Sequence, residues 1–494
     1  MKRRIDAEWM VGAALVVLIL LGGRVLSSGA AVVGRQVRAH ALLLALLVAL
    51  PALPLSASEP RELEPNTLVP AGLMRYAPSE FPDRIVAVPL QEASTGFSAT
   101  WRTDAQVQSP MLEIAVANDS PDQWEGDVPP RRIDAATVAL EAGNGVAHHH
   151  RAIVDGLQPG TLYAWRVQGN GTWSPWRQLR TAAPAGTPLE FVYFGDTQNK
   201  NASLTTRVVH QAVRHAPNAN LVLFAGDLVS EAVYDDEWGE WFDATAPLAT
   251  MAFAPALGNH EYWEEFEDTP QERRVLGDQW KVNFALPPNG AKGFESTTYW
   301  FDYQGIRFAV LDGTAALDLD AGPVQAAWLD GVLAGNQNRW SIVLIHQPFY
   351  SPRDGRDNRE LRKYLQPVIE KHRVDLVLQG HDHTYGRRGG DAGSTVPQYV
   401  VSVAGPKQYR VSARARRTMS PVGEDTQLFQ VLRLDGNRLS YEARTVTGRL
   451  YDAFSLVDEG DAGKRLEEHP EGRIPERDCT RAATLGGRAD RCWE

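Results

Sequence analysis

Residues 189–198 read Leu189-Glu190-Phe191-Val192-Tyr193-Phe194-Gly195-Asp196-Thr197-Gln198. A short apolar run that stops on a Gly-Asp turn is the pattern of a strand buried on both faces, delivering polar groups at its carboxyl end. The pattern recurs: 221–225 runs into Gly226-Asp227, 341–345 into His346, and 374–378 into Gly380-His381. Between these runs, 204–215, 235–243, 324–333 and 360–371 have helical spacing. Further strands are expected at 298–303, 306–312, 398–403, 428–434 and 439–445. Alternation of strand and helix predicts an α/β domain over 188–456, with ligands gathered where the strands end. The tail, 457–494, is charged and glycine-rich, and is expected to be loosely ordered.

Upstream the rhythm is different. Phe97, Ala99 and Trp101 alternate, as do Leu112, Ile114 and Val116, then Tyr163, Trp165 and Val167, with polar turns between them. This predicts an all-β sandwich over 58–182, joined to the α/β domain by the Pro/Gly/Ala linker 183–188. The tract His148-His149-His150 has no carboxylate cluster beside it and is expected to be a solvated strand. The acidic run 261–268, interleaved with Tyr262, Trp263 and Phe266, is expected to form an amphipathic helix or lid. His210, His215 and His372 fall in predicted helices and are expected to be structural.

Composition narrows the chemistry. The 494 residues are 43% hydrophobic and 22% charged, a globular profile. A net charge of −11 argues against nucleic acid as a structural partner. Two cysteines, Cys479 and Cys492, exclude a disulfide scaffold and a thiolate metal site, so any metal must be held by the 12 histidines, amides and carboxylates. The cysteines are expected to pair locally, in an oxidising compartment. Two apolar runs, 10–21 and 41–50, are each shorter than the ~20 residues of a spanning helix. The second follows Arg35 and Arg38 and precedes Ser56-Ala57-Ser58, the pattern of a secretory signal. Residues 1–57 are thus expected to be targeting sequence, and the protein to be exported to a periplasm, a cell surface or the medium. Membrane contact would come only through this segment left uncleaved. Nothing in the sequence speaks to oligomeric state.

Five polar clusters stand at or near the ends of apolar runs: Gly195-Asp196-Thr197-Gln198, Gly226-Asp227, Gly258-Asn259-His260-Glu261, His346, and Gly380-His381-Asp382-His383. Carboxylate, amide and imidazole ligands suit Zn, Fe or Mn. A pair of such ions ~3.5–4 Å apart clamps a phosphoryl group for in-line attack. A single Gly-Asp pair means little, but five clusters in this order are specific.

The set resembles the calcineurin-like metallophosphoesterase superfamily. Leu157-Gln158-Pro159-Gly160-Thr161-Leu162-Tyr163 resembles the tyrosine corner of fibronectin type III domains, and Trp173-Ser174-Pro175-Trp176 their closing strand. Together these features make the chain similar to purple acid phosphatases over roughly 82–455. The resemblance implies a fibronectin-like sandwich followed by a four-layer αββα domain with a dinuclear Fe, Mn or Zn centre. Asp196, Asp227 and His383 would hold the first metal. Asp227 would bridge to the second, completed by Asn259, His346 and His381. Asn259 and His260 would orient the substrate, and His260 would assist the leaving group. The implied activity is acid phosphatase, hydrolysing a small phosphate monoester by attack of metal-bound hydroxide.

The sequence departs from that pattern in three places. Ser230 stands where the purple enzymes have the tyrosine that gives their colour. Gln198 stands where relatives without that tyrosine place a histidine, and is expected to ligate through its carbonyl oxygen. A substrate-site histidine found after His346 in plant-type enzymes is missing; Arg353 and Arg356 occupy that stretch, and Arg353 is expected to contact phosphate. Two alternatives stay open: a phosphodiesterase or nucleotidase on the same scaffold, and a surface binding protein with a degenerate metal site.

Overall fold

The computed structural model describes residues 66–121, 129–266, 269–389 and 395–477, with 479, 484–485 and 488–489 of the tail. Residues 1–57, the expected targeting segment, and Cys492 lie outside them; Cys479 is disulfide-bonded.

The N-terminal domain is built from β1 (Asp83–Pro89), β2 (Phe97–Asp104), β3 (Met111–Val116), β4 (Arg131–Asp134), β5 (Ala136–Ala142), β6 (Gly145–Val154), β7 (Leu162–Val167) and β8 (Arg177–Arg180). They form two antiparallel sheets, β1-β2-β6-β5 and β4-β3-β7-β8. Trp101 and Trp165 are buried in this domain, and Phe97 packs on Trp165 with tilted rings, centres 5.3 Å apart. The Tyr163 hydroxyl accepts the Gln158 amide (2.9 Å), tying the corner as the sequence suggests.

β2 is buried on both faces, where alternation predicts one. Phe97, Ala99 and Trp101 face the sandwich core. Ser98 and Thr100 instead donate to the carbonyls of Ala285 (2.5 Å) and Asn283 (2.6 Å) in the second domain. Arg84 and Arg102 share Asp235 across the same junction, at 2.7 and 3.0 Å. Burial alone would raise Asp235, but the two guanidiniums outweigh it and hold the carboxyl low. His149 and His150, expected in solvent, are buried in β6. Thr103 and Thr137 hydrogen-bond the two ring nitrogens of His150 (2.7 and 2.9 Å).

In the second domain, β9 (Leu189–Phe194), β10 (Leu221–Ala225) and β11 (Ala252–Ala256) run parallel. β21 (Leu428–Asp435), β22 (Arg438–Thr445), β23 (Leu450–Asp458) and β24 (Lys464–Glu468) extend that sheet antiparallel, in the order β11-β10-β9-β21-β22-β23-β24. The second sheet has the order β14-β15-β16-β17-β19-β18-β20. Its members are β14 (Tyr299–Tyr303), β15 (Ile306–Leu311), β16 (Trp340–Ile345), β17 (Leu376–Gln379), β18 (Tyr385–Gly389), β19 (Gln398–Val401) and β20 (Val422–Gly423). The sheets face each other through Phe191 against Phe308 (5.7 Å) and the paired hydroxyls of Tyr385 and Tyr441 (3.2 Å). Helix α1 (Thr206–His215) covers the first sheet and α2 (Asp235–Thr245) packs beside it. Helix α3 (Gly322–Ala334), together with Arg359–Tyr364 and Gln366–Lys371, covers the second through Leu329, Leu361 and Ile369. The architecture is the expected αββα.

Three local expectations are corrected. Residues 262–265 form a strand where a helix is expected: β12 (Tyr262–Glu265) pairs with β13 (Arg273–Leu276), and Glu264–Arg274 and Glu265–Arg273 ion pairs rivet the hairpin; 267–268 lie outside the described residues. The ordered domain does not stop at 456, because β24 pairs with β23 through Glu468. The stretch 360–371 is two short helices, with Pro367 at the start of the second. Among the described residues no helix is long and apolar enough to cross a membrane.

Candidate metal centre

Each polar cluster follows a parallel strand: Asp196 after β9, Asp227 after β10, Asn259 after β11, His346 after β16 and His381 after β17. Buried strands fix where each loop starts, and the loop geometry then aims the side chains. Asp196, Asp227, His381 and His383 all have left-handed backbones, φ 41°, 51°, 73° and 47°. This conformation is sparsely populated by non-glycine residues and clusters at functional sites. Two glycines leave room for it. A Cβ on Gly258 would lie 2.1 Å from Asp227 Oδ1, and one on Gly380 would lie 2.4 Å from Asp196 Oδ2.

The candidate ligands converge in two groups that share Asp227: Asp227, His346 and His381, and Asp196, Asp227 and His383. Within each group the ligating atoms lie within 4.8 Å of one another. His346 Nε2 is 3.1 Å from Asp227 Oδ2 and 4.0 Å from Asp196 Oδ1, and His383 Nε2 is 3.7 Å from Asp196 Oδ1. His346 Nδ1–H donates to Ala225 O (2.6 Å) and His383 Nδ1–H to Lys407 O (3.0 Å). Those bonds fix the ring orientations and turn each Nε2 toward the carboxylates.

Electrostatics agree with a cation site. Burial pushes the Asp196 carboxyl well up, with His346 pulling against it and Asp227 adding to it. Burial would also raise Asp227, but His346 and His260 outweigh it and hold that carboxyl low. Burial lowers His381 and His383 and keeps them neutral. Burial would lower His346, but Asp227 outweighs it and raises that imidazole to about 9, so a proton on Nε2 faces Asp227 where a cation would sit. His381 Nδ1 lies 3.1 Å from the same Nε2. The amide oxygens of Gln198 and Asn259 are buried and have no hydrogen-bond partner. Unpartnered amide oxygens on the loops that also carry these carboxylates, near converging imidazoles, are what a metal pair would satisfy, so the residues present fit one.

Gln198 enters this group through its Nε2, 3.2 Å from Asp227 Oδ2 and 3.1 Å from His383 Nε2. His260 is held at the edge: its amide donates to Asp227 Oδ1 (3.0 Å) and its Nδ1 to Ser230 O (2.6 Å). Arg353 reaches the ligand set through a ring. Its guanidinium stacks on Tyr409 (3.7 Å), which meets His383 edge-on (5.1 Å). Arg356, in the same stretch, spends its charge on Asp382 and also donates to His381 O (3.2 Å).

Sequence reasoning left out three contributors. Glu261 gathers the amides of Asp227 (3.0 Å), Leu228 (2.7 Å) and Gly258 (2.6 Å). Asp382 takes Arg356 and Ser351 and so braces the turn that carries both histidines. Tyr409 packs on His383. Glu261 was visible as the last residue of its cluster; Tyr409 had no pattern to betray it.

Residues 189–385 match the family model for calcineurin-like phosphoesterases, and 82–181 match the model for the purple acid phosphatase N-terminal domain. An uncharacterized protein of Mycobacterium tuberculosis is 26% identical over 334 residues, 60% of this chain and 60% of its own length. The Fe(3+)-Zn(2+) purple acid phosphatase 12 of Arabidopsis thaliana is 26% identical over 261 residues, 49% of this chain and 52% of its own. The chain thus spans about 60% or less of these curated relatives. Among solved structures, a purple acid phosphatase from yellow lupin seeds superimposes with a TM-score of 0.64 at 20% identity, covering 76% of this chain and 74% of that one.

Proposed function

We propose that this chain, a purple acid phosphatase-like member of the calcineurin-like metallophosphoesterases, is an exported dinuclear-metal hydrolase of phosphate monoesters. The observation that carries the reading is the pair of ligand groups joined at Asp227, with the amide of Gln198 among them and the unpartnered oxygen of Asn259 on the loop after β11. Asp196, Asp227, His383 and Gln198 would hold one ion, the Gln198 amide turned so that its oxygen replaces the isosteric nitrogen. Asp227, Asn259, His346 and His381 would hold the other. Fe, Mn and Zn all suit such ligands, and the Arabidopsis relative is named for Fe(3+) and Zn(2+). Two such ions, when bound, neutralise phosphate charge and lower the pKa of water to supply a nucleophile near neutral pH.

The chain's own groups do the rest. Asn259 and His260 orient the phosphate, and Arg353 adds positive charge from the Tyr409 side. Because Ser230 O engages His260 Nδ1–H, the proton that meets the leaving alkoxide comes from His260 Nε2. Export is supported by the signal-like 41–58 stretch and by the disulfide at Cys479.

Elemental analysis of protein purified without chelators tests the centre. Close to two equivalents of Fe, Mn or Zn per chain is expected, and one or fewer overturns the dinuclear assignment. Rates on p-nitrophenyl phosphate and on bis(p-nitrophenyl) phosphate test the substrate class; faster turnover of the diester rejects the monoester reading. N-terminal sequencing of secreted protein tests export, with a mature end near Ala57 expected.

A further inference from the structure

A cavity of about 260 Å³ adjoins the His381–His383 turn, and its wall carries Arg353, Arg356, Arg362, Arg388 and Arg414 against Asp354 and Asp357. So many guanidiniums around one small space repel each other, in a chain whose net charge is −11. Two of them are met internally, Arg356 by Asp382 and Arg362 by Asp357. Arg353 and Arg414 have no carboxylate partner among the described residues. Arg353 and Arg388 lie against aromatic rings, Tyr409 at 3.7 Å and Tyr350 at 3.8 Å, which restrict them in advance of any ligand. Arginine forks match phosphate oxygens in pairs. The volume falls below the ~300–1,000 Å³ of a whole small-molecule site, so the space suits one substituent of a larger molecule.

We propose that this pocket is a second phosphate site, which directs the metal centre toward esters bearing another phosphate on the same molecule. The proposal rests on the hydrolase reading above for the scissile group, and on the arginine pocket alone for the second. Arg356 links the two: it lines the pocket, and it donates to the His381 carbonyl (3.2 Å) beside its ion pair with Asp382. The second phosphate is either part of the substrate or a free phosphate ion, and the arms of the test separate these.

Calorimetric titration of the metal-stripped full chain with inorganic phosphate reads the pocket without catalysis. One ion per chain is expected, weakened at least ten-fold in Arg414→Glu and retained in Arg414→Lys. Equal affinity in wild type and Arg414→Glu overturns the proposal. With metals loaded, Arg414→Glu is expected to raise KM for an alkanediol bisphosphate at least ten-fold. Turnover of p-nitrophenyl phosphate should stay within two-fold. Arg414-dependent phosphate binding with no such change in KM assigns the pocket to free phosphate and overturns the substrate claim. Arg414-dependent binding in a chain that, fully loaded, hydrolyses neither ester refutes the hydrolase reading and leaves the pocket standing.

Discussion

The carboxylate of Glu261 accepts the backbone amide of Asp227 at 3.0 Å, while its other oxygen accepts Leu228 (2.7 Å). One buried side chain therefore holds the loop that presents Asp227, the proposed bridging ligand, and through Gly258 N (2.6 Å) the loop that presents Asn259. Burial, then repulsion from Asp227, pushes Glu261 up to about 7. It is kept in so hostile a place because three amides need its two oxygens.

Glu261→Gln is nearly isosteric but turns one acceptor into a donor facing N–H groups. A stability loss of about 1–3 kcal/mol is expected from the unsatisfied amides. Metal affinity should fall about 10–100-fold, as for other supports of ligating groups. Urea denaturation and metal competition against a chelator measure the two effects separately.

Asp227→Asn tests the bridge itself. Asparagine can still accept the His260 amide at the Oδ1 position, so the fold should survive and far-UV dichroism should be unchanged. It cannot supply two anionic oxygens. Retained metal should drop from about two equivalents to one or none, and phosphatase activity should disappear; near-wild-type turnover would refute the assignment.

Most of the centre was legible because strands buried on both faces leave uninterrupted apolar runs, and the ligands follow those runs directly. β11 was not legible as a strand: Ala252-Phe253-Ala254-Pro255-Ala256 is poor in β-branched residues and contains a proline. It is tolerated because β11 is the edge of its sheet. Its polar cluster stood out anyway, as Gly258-Asn259-His260-Glu261. What stayed hidden acts through tertiary contact. Lys407 serves with its carbonyl, and Ser98 and Thr100 are buried only because the second domain covers β2. No local pattern encodes either.

The junction between the domains depends on Asp235, which neutralises Arg84 and Arg102 out of solvent. Asp235→Asn strips Arg84 of its carboxylate partner and leaves Arg102 with Asp83 alone, a loss of about 3–5 kcal/mol when a buried pair is broken. Asn144 donates to the same carboxylate (3.2 Å) and loses a strong acceptor as well. Denaturant titration should show the loss, and limited proteolysis should separate the sandwich from the second domain.

His149 gives stability a pH dependence of known sign. Burial lowers it to about 3, with Arg84 and Arg102 adding to the effect. The unfolded chain protonates near pH 6.5 while the folded one stays neutral, so the unfolded state binds more protons and stability falls as pH drops from 6.5 toward 3. At pH 5 the loss from this residue is about 2 kcal/mol. His149→Gln cannot titrate, so its urea midpoint should shift less than that of wild type between pH 7 and pH 5.

In the proposed centre, Gln198 decides how firmly the first ion is held. It is fully buried between Asp227 Oδ2 and His383 Nε2, and its amide oxygen has no partner. A neutral amide oxygen is a weaker donor to Zn or Fe than an imidazole nitrogen, so this ion should leave first under chelation. Gln198→Ala removes the donor, and retained metal should fall toward one equivalent. Gln198→His supplies an imidazole in the same place, and the ion should survive higher chelator concentrations than in wild type. Chelator titrations followed by elemental analysis order the three proteins. If alanine retains metal as well as glutamine does, Gln198 is not a ligand and water takes that position.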